Sequence, residues 1–231
     1  VPTWFSRLSR IRPLHGFFGS VTKYNTNKVW RKFRNETDLS LNQIKTVAQS
    51  KASELRFHIH RQIGCEASQK ISTHIEKFLV ARKDFKVIAA YMPIKTEIDI
   101  TSVVPKIREL GKILCLPVII SNNEPLAFKV WNENSQLIEG KLRVLVPVTD
   151  EILEPDVVLC PMLSFDVNGY RLGYGGGFYD RTIESLKKKK RVFTLGCAYS
   201  QQLVSNKLPV GKYDKPVDAI VTENGLTYFG R

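Results

Sequence analysis

Between Cys160 and Arg181 the chain reads C-P-M-L-S-F-D-V-N-G-Y-R-L-G-Y-G-G-G-F-Y-D-R. Four glycines, Gly173, Gly175, Gly176 and Gly177, fall within five positions. Arg171 and Arg181 bracket them, and Phe178, Tyr179 and Asp180 follow. Glycines at this density let a backbone reach positive φ and approach a bulky ligand, while successive N–H groups can form a nest for an anion. A flexible loop would account for the glycines alone. The arginines, the aromatic pair and the carboxylate move the balance toward a phosphate cradle. Arg171 carries the planar fork suited to bidentate phosphate contact, its guanidinium expected to face phosphates and not the core. Asp180 would place a hard oxygen ligand beside them, the usual chemistry of Mg²⁺. The loop is neither a Walker A motif, since no Lys-Ser/Thr follows the glycines, nor a dinucleotide fingerprint, since Phe178 stands where G-x-G-x-x-G needs its last glycine. A second carboxylate, Asp218, heads P-V-D-A-I-V-T-E. As a bare pair, Asp180 and Asp218 would more often be surface or capping residues.

The elements that must position these groups follow from hydrophobic period. Leu41, Ile44, Val47, Ala48, Leu55, Ile59 and Ile63 recur at helical spacing from Ser40 to a C-cap expected at Gly64. A second helix is expected over 67–80, with Ile71, Ile75, Phe78 and Leu79 inward. Val87 to Met92 reads as a buried strand ended by Pro93. A helix carrying Val103, Val104, Ile107 and Leu110 then stops at Gly111, and Ile113 to Ile120 is a second apolar strand. Such a strand–helix–strand unit gives parallel strands with a right-handed crossover. Leu126 to Trp131 and Leu142 to Val146 form an antiparallel insert. Val157 to Leu159 is a third strand delivering the glycine stretch, Thr182 to Lys189 a helix, and Val192 to Ala198 and Ala219 to Val221 two more strands. The fold class is α/β, a three-layer α/β/α sandwich with a largely parallel central sheet and a small antiparallel insert, whose ligands sit beyond the strand carboxyl ends.

The 231 residues carry a net charge of +13. Residues 1–50 hold nine Lys/Arg against two acids, so +7 of the excess lies there and the body is only moderately basic. The expected organisation is a basic extension over 1–40, poorly ordered or not native, and one α/β domain over 41–231. The acid-free start, with Trp4, Phe5, Phe17, Phe18 and Trp30 among its arginines, is compatible with a transit peptide, a single-stranded nucleic-acid contact or an upstream extension. Localisation is accordingly expected to be cytoplasmic, or mitochondrial if the extension is a transit peptide. No run of about eighteen apolar residues is present. His58, His60 and His74 lack metal-ligand spacing, and Cys65, Cys115, Cys160 and Cys197 are too scattered for a zinc site, three of them reading as small buried hydrophobes.

Five segments, Y-M-P-I-K-T-E-I-D-I (91–100), G-K-I-L-C-L-P-V (111–118), E-P-L-A-F-K-V-W (124–131), the run 153–182 and P-V-D-A-I-V-T-E (216–223), together resemble the 5-formyltetrahydrofolate cyclo-ligases, also called methenyltetrahydrofolate synthetases. The resemblance implies ATP- and Mg²⁺-dependent conversion of 5-formyltetrahydrofolate to 5,10-methenyltetrahydrofolate through an imidoyl phosphate; the protein is expected to be a monomer with 5-formyltetrahydrofolate as its partner and no membrane or nucleic-acid partner. It implies an ATP site of Lys51, Arg56, Arg171, Leu172, Gly173, Tyr174, Gly175, Gly176, Gly177, Phe178 and Tyr179, with Arg171 and Tyr179 catalytic. It implies folate contacts from Met92, Glu97, Tyr174, Gly175, Gly176, Gly177 and Phe178, and Mg²⁺ ligands in Asp180 and Asp218. Glu97 could accept paired hydrogen bonds from a 2-amino-pteridine edge, or could be a dipole-favoured acid at a helix start. Two features depart from the family pattern. Lys51 and Arg56 are five positions apart, which sets them about 140° apart around a helix, and Tyr213-Asp214 stands where a His-Asp pair is common. Two other classes remain open, an RNA-associated module built on the basic N-terminus and a different enzyme on the same kind of sheet.

Overall fold

The computed structural model describes residues 40–205 and 207–230. The basic segment expected as an extension lies outside them, except for Ser40. Ser40 opens helix α1 (Leu41–Ala81) with a reciprocal capping box, its hydroxyl accepting from the Gln43 N–H while the Gln43 side chain accepts from the Ser40 N–H. The S-x-x-Q pattern thereby satisfies two of the four orphan donors of a helix start.

The two helices expected around Gly64 are one. Helix α1 runs unbroken for 41 residues, about 60 Å at 1.5 Å per residue. Gly64 keeps a negative φ and is buried. A Cβ there would lie 3.0 Å from His60 Nδ1, the atom that meets the Tyr199 hydroxyl at 2.8 Å. Gly64 is therefore a packing glycine that leaves room for a helix-to-sheet contact, and not a C-cap.

After α1 come β1 (Val87–Ala89), a short 3-10 turn, α2 (Val104–Glu109) and β2 (Ile113–Val118), with Gly111 at φ +67° closing the helix. Then follow β3 (Ala127–Val130), β4 (Leu137–Glu139), β5 (Leu145–Pro147), β6 (Val157–Pro161), β7 (Ser164–Asp166) and β8 (Arg171–Leu172). The chain ends through α3 (Phe178–Lys189), β9 (Phe193–Cys197), β10 (Leu203–Val204), β11 (Ala219–Thr222) and β12 (Gly225–Tyr228). Among these, the seven-stranded sheet has the order β12-β11-β9-β6-β1-β2-β3. Its five inner strands run parallel, and antiparallel β3 and β12 close the edges.

Strand alternation splits the core in two. Ile88, Leu114, Val157, Leu159, Leu195 and Val221 pack with Ile71, Ile75 and Leu79 of α1 and Ile107 of α2. Ala89, Cys115, Val158 and Cys160 face the other way, onto Ile183 and Leu186 of α3. The result is the expected three-layer sandwich, its inner strands buried on both sides and hence continuously apolar in sequence. As expected, Cys115, Cys160 and Cys197 are buried, whereas Cys65 is exposed.

Three boundaries differ from expectation. The strand expected at Leu126 to Trp131 joins the main sheet against β2, while β5 pairs with β4 as a separate two-stranded sheet. Leu142 and Arg143 are excluded from β5 because both sit at positive φ, 59° and 58°, in a turn. The glycine stretch does not leave β6 directly. A β7–β8 hairpin intervenes and pairs with β10, and its Leu163 and Leu172 pack on Ala48 and Ala52 of α1.

Gly64→Ala separates propensity from packing. Alanine favours a helix by about 1 kcal/mol, but the crowded His60 ring has to move, at a cost of about 1–3 kcal/mol. Urea denaturation should show Gly64→Ala less stable than the wild type, and the same change neutral or stabilising in a His60→Ala background.

Candidate functional site

The site lies beyond the carboxyl ends of β1 and β6, where open parallel sheets place ligands. Three segments meet there: the N-terminal half of α1, the 92–97 connection after β1, and the glycine loop between β8 and α3. Arg56 of α1 joins them. Each of its nitrogens meets a protein acceptor: Nε donates to Thr96 Oγ1 at 3.2 Å, Nη1 to the Met162 carbonyl at 2.9 Å, and Nη2 to the Tyr174 hydroxyl. At 1% exposure it is buried beneath the loop. The family resemblance places Arg56 on nucleotide phosphates; the geometry makes it the internal tie of the site. Lys51 is exposed on another face of α1, as the 140° separation requires.

Sequence reasoning found Ala48 and Arg56 on this face of α1 but missed Lys45, Gln49 and Ala52 beside them. Lys45, Ala48, Gln49, Ala52 and Arg56 form one helical stripe. Lys45 pairs with Asp214 at 2.5 Å, and Gln49 Nε2 donates to the Gly173 carbonyl at 2.9 Å. The signal was present as i, i+3, i+4, i+7, i+11 spacing from Lys45 to Arg56.

Glu97 is the most perturbed acid of the site. Only 5% exposed, it accepts the Ile94 N–H at 3.0 Å on Oε2. Oε1 has no partner among the described residues. Burial pushes the carboxyl up to about 7, against the opposing effects of the Ile94 N–H and the Arg56 charge. The turn that holds it puts Lys95 at φ +55°, a conformation costing about 1 kcal/mol for a side-chain-bearing residue. Lys95 Nζ and the Arg56 guanidinium each lie 5.4 Å from the Tyr174 ring centroid. Met92 is partly buried against the neighbouring core. Trp131, which could have stacked on a substrate, packs against the core instead, with Arg108 5.2 Å from its ring.

The glycine loop has the conformation that its composition demands. Gly175 sits at φ +95° and Gly177 at φ +65°, the latter as N-cap of α3 with no side-chain cap. Among the described residues, the N–H groups of Tyr174, Gly175, Gly176 and Gly177 have no protein acceptor. Donors left open at a helix N-terminus suit an anion. Leu172 anchors the loop by burial, Phe178 opens α3, and the Tyr179 ring packs toward the core behind it. Burial holds the Tyr179 phenol well above its ordinary range, so it is protonated at neutral pH.

The acids divide. Asp180 stands in the first turn of α3, where Oδ1 accepts from Arg171 Nη2 and from the Lys215 N–H, each at 2.9 Å. Oδ2 has no partner among the described residues and is open to a cation. Arg171, its side chain 4% exposed, also donates to the Lys215 carbonyl at 2.5 Å. Its guanidinium therefore holds Asp180 and does not stand free toward a phosphate, contrary to the expectation from sequence. Asp218 lies elsewhere, at the amino end of β11. Both its oxygens meet Lys187 Nζ, at 3.0 and 3.2 Å, and Oδ2 also accepts the Thr194 N–H and hydroxyl. Burial alone would raise its pKa, but the Thr194 donors and Lys187 outweigh it and hold the carboxyl below its ordinary range. Lys187 is seven residues along α3 from Asp180, about 10 Å of axial rise. The structure thus does not bring the two expected metal ligands together. A cavity of about 530 Å³ opens beside Asp218, but Lys187 and Lys190 on its wall are already answered by Asp218 and Asp156.

Glu97 carries a pH signature. Because its folded pKa lies above the ordinary value of 4.5, its contribution to stability is full below about pH 4.5 and lost as pH rises through about 7. The full shift corresponds to about 3 kcal/mol. Glu97→Gln should therefore unfold at higher denaturant than the wild type at pH 8.5, and the gap should close by pH 5. A constant gap between the two pH values would refute the buried charge.

The comparisons with known proteins agree with this fold. A model of the 5-formyltetrahydrofolate cyclo-ligase family matches residues 35–223. The 5-formyltetrahydrofolate cyclo-ligase of Escherichia coli K12 is 33% identical over 141 residues, 58% of this chain and 76% of that protein. That of Haemophilus influenzae is 28% identical, covering 66% and 83%. Among solved structures, the Aquifex aeolicus 5,10-methenyltetrahydrofolate synthetase superposes with TM-score 0.68 at 31% identity, over 81% of this chain and 95% of that one. The Mycoplasma pneumoniae synthetase gives TM-score 0.63 at 23% identity, over 78% and 98%, a likeness of fold. With the match spanning six of the seven strands of the main sheet and every segment of the site, the chain belongs to the 5-formyltetrahydrofolate cyclo-ligase family, a family of ligases.

Proposed function

We propose that this protein converts 5-formyltetrahydrofolate to 5,10-methenyltetrahydrofolate at the expense of ATP, as a monomer. One observation carries the reading. Arg56 ties a buried carboxylate with an open oxygen, Glu97, to a loop whose four N–H groups await acceptors. The first suits the donor edge of a reduced pterin, and the second suits nucleotide phosphates.

In this reading the formyl oxygen attacks the γ-phosphorus of ATP and ADP leaves, giving an imidoyl phosphate. N10 then bonds to the formyl carbon, the carbon–oxygen bond to phosphate breaks, and the N10 proton is lost to solvent. The chemistry asks for alignment and charge stabilisation more than for a strong base. The open Oδ2 of Asp180 fits Mg²⁺, which would supply neutralisation of phosphate charge. Arg171 keeps that carboxylate aimed by occupying its other oxygen. Glu97, ionised above about pH 7, orients the pterin. Tyr179, protonated, can donate a hydrogen bond but cannot serve as a base.

The decisive assay incubates purified protein with 5-formyltetrahydrofolate, Mg²⁺ and ATP and follows the absorbance of methenyltetrahydrofolate; a folded sample that forms none of it would sink the reading. Asp180→Asn should lower turnover by about two orders of magnitude, the scale of losing one preorganised electrostatic contact. Asp218→Asn should instead lower stability with turnover near the wild-type value, since its partners are Thr194 and Lys187. Arg171→Ala should cost both, because it leaves Asp180 with the Lys215 N–H alone and takes the side-chain donor from the Lys215 carbonyl, about 3 kcal/mol for a broken buried pair.

A further inference from the structure

Two carbonyls of the glycine loop are held from opposite sides. Gln49 of α1 donates to the Gly173 carbonyl at 2.9 Å. Arg181, on the first turn of α3, donates through Nη2 to the Gly176 carbonyl at 2.8 Å. The same guanidinium reaches the β2–β3 connection, giving Nη2 to the Asn122 carbonyl at 2.9 Å and Nε to the Glu124 carbonyl at 3.3 Å. It also lies 5.1 Å from the Phe178 ring centroid.

The consequence is geometric. In a planar trans peptide the C=O and the N–H of one unit point in opposite directions, and no peptide bond among the described residues is cis. Holding the Gly173 carbonyl therefore aims the Tyr174 N–H away from Gln49. Holding the Gly176 carbonyl likewise aims the Gly177 N–H away from Arg181. Both of these N–H groups are among the four without a protein acceptor.

The glycines make room for these two side chains. A Cβ on Gly175 would lie 3.2 Å from Gln49 Nε2, and one on Gly177 would lie 2.6 Å from Arg181 Nη1. A loop of this composition loses about 1–2 kcal/mol of backbone entropy per residue on ordering, glycine the most. Ordering it before the ligand arrives removes that cost from binding.

We propose that Gln49 and Arg181 are positioning residues that fix two peptide planes of the loop, so that the Tyr174 and Gly177 N–H groups are presented to nucleotide phosphate. The proposal rests on reading the loop as the phosphate cradle. It gives the two side chains a role toward the nucleotide and none toward the folate.

The test is calorimetric titration with Mg·ATP alone, alongside steady-state kinetics with each substrate varied and thermal unfolding of the ligand-free protein. Gln49→Ala and Arg181→Ala should each weaken nucleotide binding and raise the KM for ATP by about tenfold. The KM for 5-formyltetrahydrofolate should stay within twofold, and the unfolding midpoint should move little. Gln49→Glu keeps the size but loses the donor, so it should bind no better than Gln49→Ala. Arg181→Lys, able to reach one carbonyl, should recover part of the loss. A wild-type protein that binds ATP while both alanine variants bind it equally well would overturn the proposal alone. Parallel losses in both KM values, or in binding and unfolding midpoint together, would also overturn it by showing a merely structural role. A folded wild-type protein that binds no ATP would overturn the phosphate-cradle reading and the proposal with it.

Discussion

A buried guanidinium is expensive to desolvate, and the one at Arg56 is kept only because each of its nitrogens finds an acceptor on a different segment. Thr96 belongs to the connection after β1, Met162 to the turn after β6, and Tyr174 to the glycine loop. Removing any one of these partners would leave a buried donor unpaired, at about 1–3 kcal/mol. The 41-residue helix that carries Arg56 thus serves two ends. Its second half packs Ile59 to Leu79 on the sheet, and its first half makes one wall of the site. The same carbonyl of Met162 also accepts from Gln202, so the turn after β6 is pinned from both sides. Beside this tie Glu97 keeps its raised pKa by burial, which outweighs the lowering effect of the Arg56 charge.

Electrostatic order on the other side of the loop comes from a second buried guanidinium. Arg171 occupies one oxygen of Asp180 and leaves the other open, while Lys215 supplies both a carbonyl to Arg171 and an N–H to Asp180. The carboxylate is thereby fixed in the first turn of α3, where the helix dipole favours negative charge. The two arginines singled out from the sequence for phosphate contact, Arg56 and Arg171, are instead buried and bonded to protein acceptors. Side chains that meet the loop from without, Gln49 and Arg181, set the direction of its peptide planes. A glycine-rich loop is thus ordered by what presses on it, since its own residues resist nothing.

The amino-acid sequence by itself determined the layers. Apolar runs such as Val87 to Met92 and Val157 to Leu159 could only be strands buried on both faces, and their separation by helical segments made the sheet parallel. It also determined the helix start at Ser40, because the cap depends on residues within one turn of chain. Gly64 shows the limit of that locality. Its role is to clear space for His60, whose partner Tyr199 is 139 positions from that histidine, and nothing within the local pattern distinguishes it from a helix end. The tertiary structure alone decided which charges face one another. Asp180 and Asp218 look alike in sequence, yet one is left with an open oxygen at the carboxyl ends of the strands. The other is saturated by Thr194 and Lys187 at the amino ends. Charge pairing acts through space over a few ångströms, and which side chains come that close is set by how the sheet orders its strands.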